Sequence, residues 1–179
     1  VLDQVQGVLG PPQIAAFLVL CQRGIEEWYS ARNTRHLISQ DAREVGRGYY
    51  PVVAVTHLGW IASLFTLIPA HAPVYWPLIA LYLLLQVARY WIIFSLGPYW
   101  THRIFTVEGA PIVRRGPYRW LRHPNYVLTV AETFVLPAAF GAFALAIIMT
   151  CIWGAVIAYK IVLEDAALMP RREGAPPQP

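Results

Sequence analysis

"HPNYVLTVAETFVLPAAFGAFALAIIMTCIWGAVIAYK", His123 to Lys160, holds a single charged residue, Glu132, in the 36 positions between its ends. As one helix those positions would rise about 54 Å, nearly twice the roughly 30 Å hydrocarbon core of a bilayer. The stretch therefore reads as a helical hairpin, with the turn-prone "PAAFGA" (Pro137–Ala142) at its tip. Its two arms are expected near Tyr126–Leu136 and Phe143–Lys160.

Composition points the same way. Of 179 residues, 57% are hydrophobic and 13% are charged, whereas a soluble domain carries roughly 25% charged residues. Half that share cannot clothe a globule of this size, so the natural solvent is lipid. Two more runs are long enough to span: Pro51–Pro69, with His57 as its one titratable group, and Val74–Leu96, broken by Arg89. Gln13–Ala31 is expected to cross as well, with Arg23, Glu26 and Glu27 turned inward. The expectation is an all-α, polytopic transmembrane helical bundle of about five spans, forming a single domain over residues 1–179. Its cofactor-binding portion lies at about 97–168, and residues 171–179 form a disordered tail. No cleaved signal peptide is expected, because no basic residue precedes the apolar run Ile14–Cys21. Cys21 and Cys151 lie in apolar stretches without metal-ligand spacing, and read as small core hydrophobes.

Charge is distributed by side. Arg32, Arg35, Arg43 and Arg47 follow the first helix, and Arg103, Arg114, Arg115, Arg119 and Arg122 follow the third. Lys160, Arg171 and Arg172 close the chain, while "AHAP" (Ala70–Pro73) and "PAAFGA" have no Lys or Arg. By the positive-inside rule, loops 32–50 and 97–123 and the C-terminus are cytoplasmic, with a bacterial inner membrane favoured. The net charge of +4 marks orientation and gives no nucleic-acid footprint.

The basic segment before the hairpin, "RRGPYRWLRHPNYV" (Arg114–Val127), holds more than flanking charge. Gly116-Pro117 signals a turn, and Pro124 suits the first position of a helix. That arrangement sets a helix N-terminus beside Arg119, Arg122 and His123, a place for an anion. Tyr118 and Tyr126 add π-faces for a cation. A ligand with a carboxylate, a sulfonium and a flat ring, such as S-adenosylmethionine, matches these features. No Rossmann sheet is expected: Gly46-Arg-Gly48 lacks the third glycine of the dinucleotide fingerprint. Lys160 and Glu164 are one turn apart with Asp165 next, offering a cation and carboxylates on one helix face. Arg89 and Glu132, costly in lipid, should face the bundle interior as partners or line an acceptor pocket. Asn125, Thr129 and Glu132 share one helix face, and His57 reads as a hydrogen-bonded core histidine. Trp60, Trp76, Tyr82, Trp91 and Trp153 read as packing or interface residues.

"GPYRWLRHPNY" followed by "KIVLED" resembles the isoprenylcysteine carboxyl methyltransferase family, and "AREVGRGYYPVV" also looks like its prokaryotic members. The strict match covers under a fifth of the chain, and the hydropathy layout extends it to most of the rest. The resemblance implies an integral membrane enzyme that uses S-adenosylmethionine. It implies cofactor contacts from Ala110, Pro111, Ile112 and Val113, a pocket completed by Tyr118, His123, Pro124, Asn125 and Tyr126, and closure by Glu164. Lys160 would orient the acceptor. Two positions depart from the pattern: Leu128 replaces a usual glycine, and Lys160 replaces a usual arginine, losing its bidentate fork.

The expected activity is O-methyl transfer from S-adenosylmethionine at the cytoplasmic face, to a lipophilic small-molecule or prenylated acceptor presented from membrane lipid. That acceptor is an isoprenylcysteine-type carboxylate or a long-chain phenolic or pyrone lipid. Lys160 and Glu132 are the expected catalytic residues, and Lys160, Arg89 and His57 the expected acceptor contacts, with no metal. A phenolic or enolic acceptor would need a base, for which Glu132 or His57 stand first. Two alternatives stay open. A membrane sterol-type reductase would use NADPH at a similar His-Pro-Asn-Tyr box, with Arg114 and Arg115 for the 2′-phosphate. A non-enzymatic scaffold or transporter would explain the spans but not the paired motifs.

Overall fold

The computed structural model describes residues 9–107 and 113–173, with side chains described to residue 166. Five long helices make up most of it: α1 (Pro11–Ile38), α2 (Tyr50–Leu67), α3 (Trp76–Leu96), α4 (Pro124–Ala138) and α5 (Phe143–Glu173). Among the described residues the β structure is one short antiparallel pair, β1 (Arg43–Val45) with β2 (Ile104–Thr106), which no Rossmann fold resembles. The hairpin expected from the apolar stretch is α4–α5. It turns at Ala139–Ala142, where Gly141 takes the left-handed backbone conformation.

Among the described residues, three segments are long and apolar enough to cross a membrane: Arg47–Leu67, Trp76–Tyr99 and Phe143–Ala166. The chain is thus an integral membrane helical bundle. The expected count of about five rests on α1 and α4. The first carries Arg23, Glu26 and Glu27 along its middle, and the second is 15 residues long. Two boundaries also differ from expectation. Helix α5 continues past Lys160 and through Pro170 to Glu173, three residues into the expected tail. Residues 174–179 lie outside the described residues. Cys21 and Cys151 are exposed, not core, since they stand on the outward faces of α1 and α5.

The helices pack into three layers of different chemistry. At one end an apolar core gathers Ala16, Val19, Trp60, Ile61, Leu64, Ile68, Tyr82, Leu136 and Phe140. There Gly10 lies so close to Ala70 that a Cβ would fall 1.9 Å from its carbonyl oxygen. Gln13 caps two chain ends at once: its Oε1 accepts from Gly10 N, and its Nε2 donates to Phe65 O and Ile68 O, carbonyls that α2 leaves open where it ends. A charged layer occupies the middle. The other end holds the loops, the β pair and the starts of α2 and α4.

In the middle layer Glu132 of α4 accepts from Arg89 Nε at 2.8 and 3.1 Å, from Arg23 Nη2 at 3.0 Å and from Gln86 Nε2 at 3.0 Å. Glu26 pairs with Arg23 one turn along α1 and lies 3.6 Å from Arg89. Two cations and two carboxylates cancel, and Gln22 bridges Glu26 to Gln86. Arg89 and Glu132 are 2% and 1% exposed, a burial that only such pairing makes tolerable. Of the inward charges expected on α1, Arg23 and Glu26 comply, while Glu27 stays half exposed. Trp60, Tyr82 and Trp153 are buried packing residues, and Trp76 and Trp91 lie on the outer surface. His57 is packed edge-on between Trp60 and Trp153, but its Nε2 makes no hydrogen bond, so the expected polar partner is missing among the described residues.

Candidate functional site

The loop end is built around one tight turn. Gly116 has φ +55°, and a Cβ there would lie 2.1 Å from Ser95 Oγ, so glycine alone lets the loop lie on the end of α3. Arg115 Nε donates to Ser95 O at 2.6 Å and fixes the same approach. A short 3-10 turn, Gly116–Arg119, follows, and His123 then caps α4 with Pro124 at its first position. The turn and the helix start stand where the sequence placed them.

Helix α5 brings the second half of the site. Tyr126 Oη donates to Glu164, and the imidazole of His123 stacks on Tyr126 with centroids 5.3 Å apart and planes 14° apart. His123 Nδ1 lies 3.6 Å from Glu164, and its Nε2 3.4 Å from Asp165, which also faces Arg122 at 3.5 Å. Lys160, 9% exposed, does not snorkel outward. Its Nζ donates to the carbonyl of His102 at 3.0 Å and sits 5.1 Å from the centre of the Tyr126 ring. Burial, with the nearby Glu164 carboxylate, raises the phenol of Tyr118, which stays protonated. Burial and then the Lys160 ammonium press His102 down to about 3, so its imidazole is neutral.

Beside these groups lies a cavity of about 560 Å³. Val113, Tyr118, His123, Asn125, Tyr126, Lys160 and Glu164 line it, so residues from both motifs share one space. Pro124 does not line it; it starts the helix that presents its neighbours. Ala110, Pro111 and Ile112 lie outside the described residues. Arg89, Glu132 and His57 are not among the lining residues, and Arg89 and Glu132 belong to the charged layer below. One polar atom at the cavity, Asn125 Oδ1, is buried and makes no hydrogen bond among the described residues, whereas His123 Nε2 faces Asp165. Such an unpaired atom is costly unless a ligand or water completes it.

The opposite wall comes from residues that sequence reasoning missed: Leu37, Leu96, Tyr99–Thr101, Arg103–Phe105 and Val107. They are placed by the β pair, where Val45 faces Ile104, and by Asn33 Nδ2, which donates to Gly97 O at 3.1 Å and Trp100 O at 2.8 Å. The β-branched and aromatic residues of "IFTV" (Ile104–Val107) were the available signal for this strand.

The family model for isoprenylcysteine carboxyl methyltransferase (ICMT) matches residues 78–170, from α3 through α5. The chain belongs to the isoprenylcysteine carboxyl methyltransferase family. The uncharacterized Bacillus subtilis protein YpbQ is 31% identical over 155 residues, covering 84% of this chain and 92% of that protein. No solved structure matches. This member of the family is accordingly a membrane-associated methyltransferase, and the matched region contains the Gly116 turn, the Arg122–Tyr126 box and the Lys160–Glu164 pair.

Proposed function

We propose that this chain is an S-adenosylmethionine-dependent O-methyltransferase that acts on a lipophilic acceptor at the cytoplasmic membrane face. The observation that carries the reading is the hydrogen bond from Tyr126 to Glu164, which joins the two motifs at one wall of the cavity. The volume falls within the range of small-molecule sites, roughly 300–1,000 Å³. The lining has the chemistry of the ligand: arginines and a helix start for a carboxylate, aromatic faces and Glu164 for a cation, and an unpaired Asn125 Oδ1 for a donor. When bound, S-adenosylmethionine supplies an activated methyl group.

The protein's own residues have simpler tasks. Tyr118, His123, Asn125, Tyr126 and Glu164, with Val113 and the adjoining Ala110–Ile112, hold the cofactor, and the apolar walls exclude water. Lys160 orients an anionic acceptor oxygen. A carboxylate of the isoprenylcysteine type arrives ionised and needs no base, whereas a long-chain phenol or pyrone must lose a proton first. Arg89, Glu132 and His57 then act from outside the cavity wall, by shaping the layer beneath the acceptor. In this reading the whole chain is one domain with its cofactor portion at about 97–168. The arginine-rich loops 32–50 and 97–123 and the C-terminus are cytoplasmic, and α1 and α4 cross with the other helices. The neutral Arg23–Glu26–Arg89–Glu132 set supports the crossing of α1, because it seats charged α1 residues against spanning α3.

The test is binding of labelled S-adenosylmethionine and of NADPH to the purified protein in nanodiscs. Methyl transfer is then assayed to an S-prenylated cysteine and to long-chain phenolic and pyrone lipids. Saturable binding of S-adenosylmethionine but not NADPH is expected. Binding of NADPH alone would replace this reading with a reductase.

A further inference from the structure

One wall of the cavity faces outward as well as inward. Arg119, Trp120, Leu121 and Arg122 all line the cavity, yet Trp120 is 70% exposed, Leu121 48% and the Arg122 side chain 64%. Two large apolar side chains held out between arginines suit a boundary between hydrocarbon and anionic groups better than either water or lipid alone.

A second contact fixes the depth of this wall. The Trp120 indole meets the edge of Trp91 with centroids 6.1 Å apart. Trp91 belongs to the membrane-spanning segment Trp76–Tyr99 and is 49% exposed on its outer surface. It stands five residues before the end of α3, about 7.5 Å along the axis. Trp91 is thus within two turns of the end of the span, and its contact with Trp120 sets the wall at that end. Gly116, packed against Trp91 and Ser95, anchors the loop at the same level. Arg119 lies over the Trp120 ring at 5.9 Å, and Arg114 and Arg115 precede the turn. The surface is therefore an apolar wedge ringed by guanidinium groups at headgroup depth, complementary to phosphate.

We propose that the Arg119–Arg122 wall docks on the anionic headgroup layer of the bilayer, with Trp120 and Leu121 as the wedge, and that this docking holds the cavity wall in place, so that anionic lipid tightens cofactor binding. The coupling rests on the function proposed above; the docking does not. Since the same four residues meet lipid on one side and the cavity on the other, headgroups and cofactor favour one loop position, and each strengthens the other.

The experiment places a fluorophore at Leu121→Cys in a Cys21→Ser/Cys151→Ser background. The protein is reconstituted in nanodiscs of phosphatidylcholine alone or mixed with phosphatidylglycerol, each with a nitroxide on the lipid headgroup. The label is expected to be quenched, more strongly with phosphatidylglycerol. In the unlabelled protein, S-adenosylmethionine should bind about tenfold more tightly in the anionic discs. High salt should erase the difference, and Arg119→Gln should reduce it by up to about fivefold. An unquenched label overturns the docking. A quenched label with equal cofactor affinity in the two lipids overturns the coupling. If S-adenosylmethionine binds in neither lipid, the cofactor assignment fails, and the quenching result still decides the docking.

Discussion

Tyr126 and Glu164 stand 38 residues apart in the chain and are joined by a hydrogen bond from phenol to carboxylate. The first lies in the first turn of α4 and the second in the C-terminal half of α5, so the bond closes the mouth of the helical hairpin opposite its turn. It also fixes the face of Tyr126 that His123 stacks on and that Lys160 approaches.

Tyr126→Phe keeps the ring and removes the donor. A hydrogen bond to a charged group is worth about 1.5–3 kcal/mol, so S-adenosylmethionine affinity is expected to fall at least about tenfold. Glu164→Ala, which strips a partner from both Tyr126 and His123, should cost more. Titration calorimetry in nanodiscs measures both. Unchanged affinity in the two variants would remove Glu164 and Tyr126 from the cofactor site.

Lys160 should separate acceptor from cofactor. Lys160→Ala is expected to lower kcat/KM for the acceptor by about a hundredfold, the scale of a lost charged contact made in the transition state. S-adenosylmethionine affinity should stay within about threefold, since replacing the cation–π contact with Tyr126 costs little at this geometry. A variant that loses cofactor affinity in step with turnover would contradict the assignment of Lys160 to the acceptor.

The charged layer predicts a pattern of rescue. Glu132→Gln leaves Arg23 and Arg89 facing Glu26 alone, a loss on the order of 3–5 kcal/mol. Thermal unfolding in detergent should show a markedly lower Tm. Arg89→Met combined with Glu132→Leu removes opposite charges together and should recover most of it. If the double variant is as unstable as the single one, net charge is not what the layer balances.

Gly116→Ala combines a left-handed backbone with a Cβ driven into Ser95. The backbone term alone is about 1–2 kcal/mol. Ser95→Gly relieves the contact but not the backbone, so the double variant should recover part of the lost cofactor affinity. Full wild-type affinity in Gly116→Ala would mean the turn has another conformation.

The neutral imidazole of His102 sets a dependence on acid. Its folded value of about 3 lies below the unfolded value near 6.5. The unfolded chain therefore takes up the proton first as pH falls. This contribution to stability is complete above about pH 6.5 and is lost as pH drops towards 3. His102→Gln should flatten the stability profile between about pH 6.5 and 4. An identical slope in the variant would show that the acid sensitivity arises elsewhere.

Much of this architecture was legible in the chain. The apolar length from His123 to Lys160 demanded a hairpin, since a bilayer has a fixed thickness and backbone polar groups cannot be left open in lipid. Gly116-Pro117 and Pro124 marked a turn and a helix start because both depend on local backbone geometry, which adjacent residues determine. The pairing of Arg89 with Glu132 was one of two open readings, and the structure selects it.

Other features depend on neighbours distant in the chain. Nothing local says that Val45 will face Ile104, or that the carbonyl of His102 will take the Lys160 ammonium. Cys21 and Cys151 lie in apolar runs, yet both face outward, because in lipid an apolar neighbourhood does not mean an interior one. The amino-acid sequence by itself determined the helices, their length against the bilayer, the side that carries the arginines and the two motifs. Tertiary structure alone decided that Tyr126 meets Glu164, that Glu132 lies outside the cavity wall in a charged layer, and which loop forms the opposite wall. Periodicity and turn chemistry act over a few residues, whereas the cavity is made where the ends of α1 and α3 and the start of α4 meet α5.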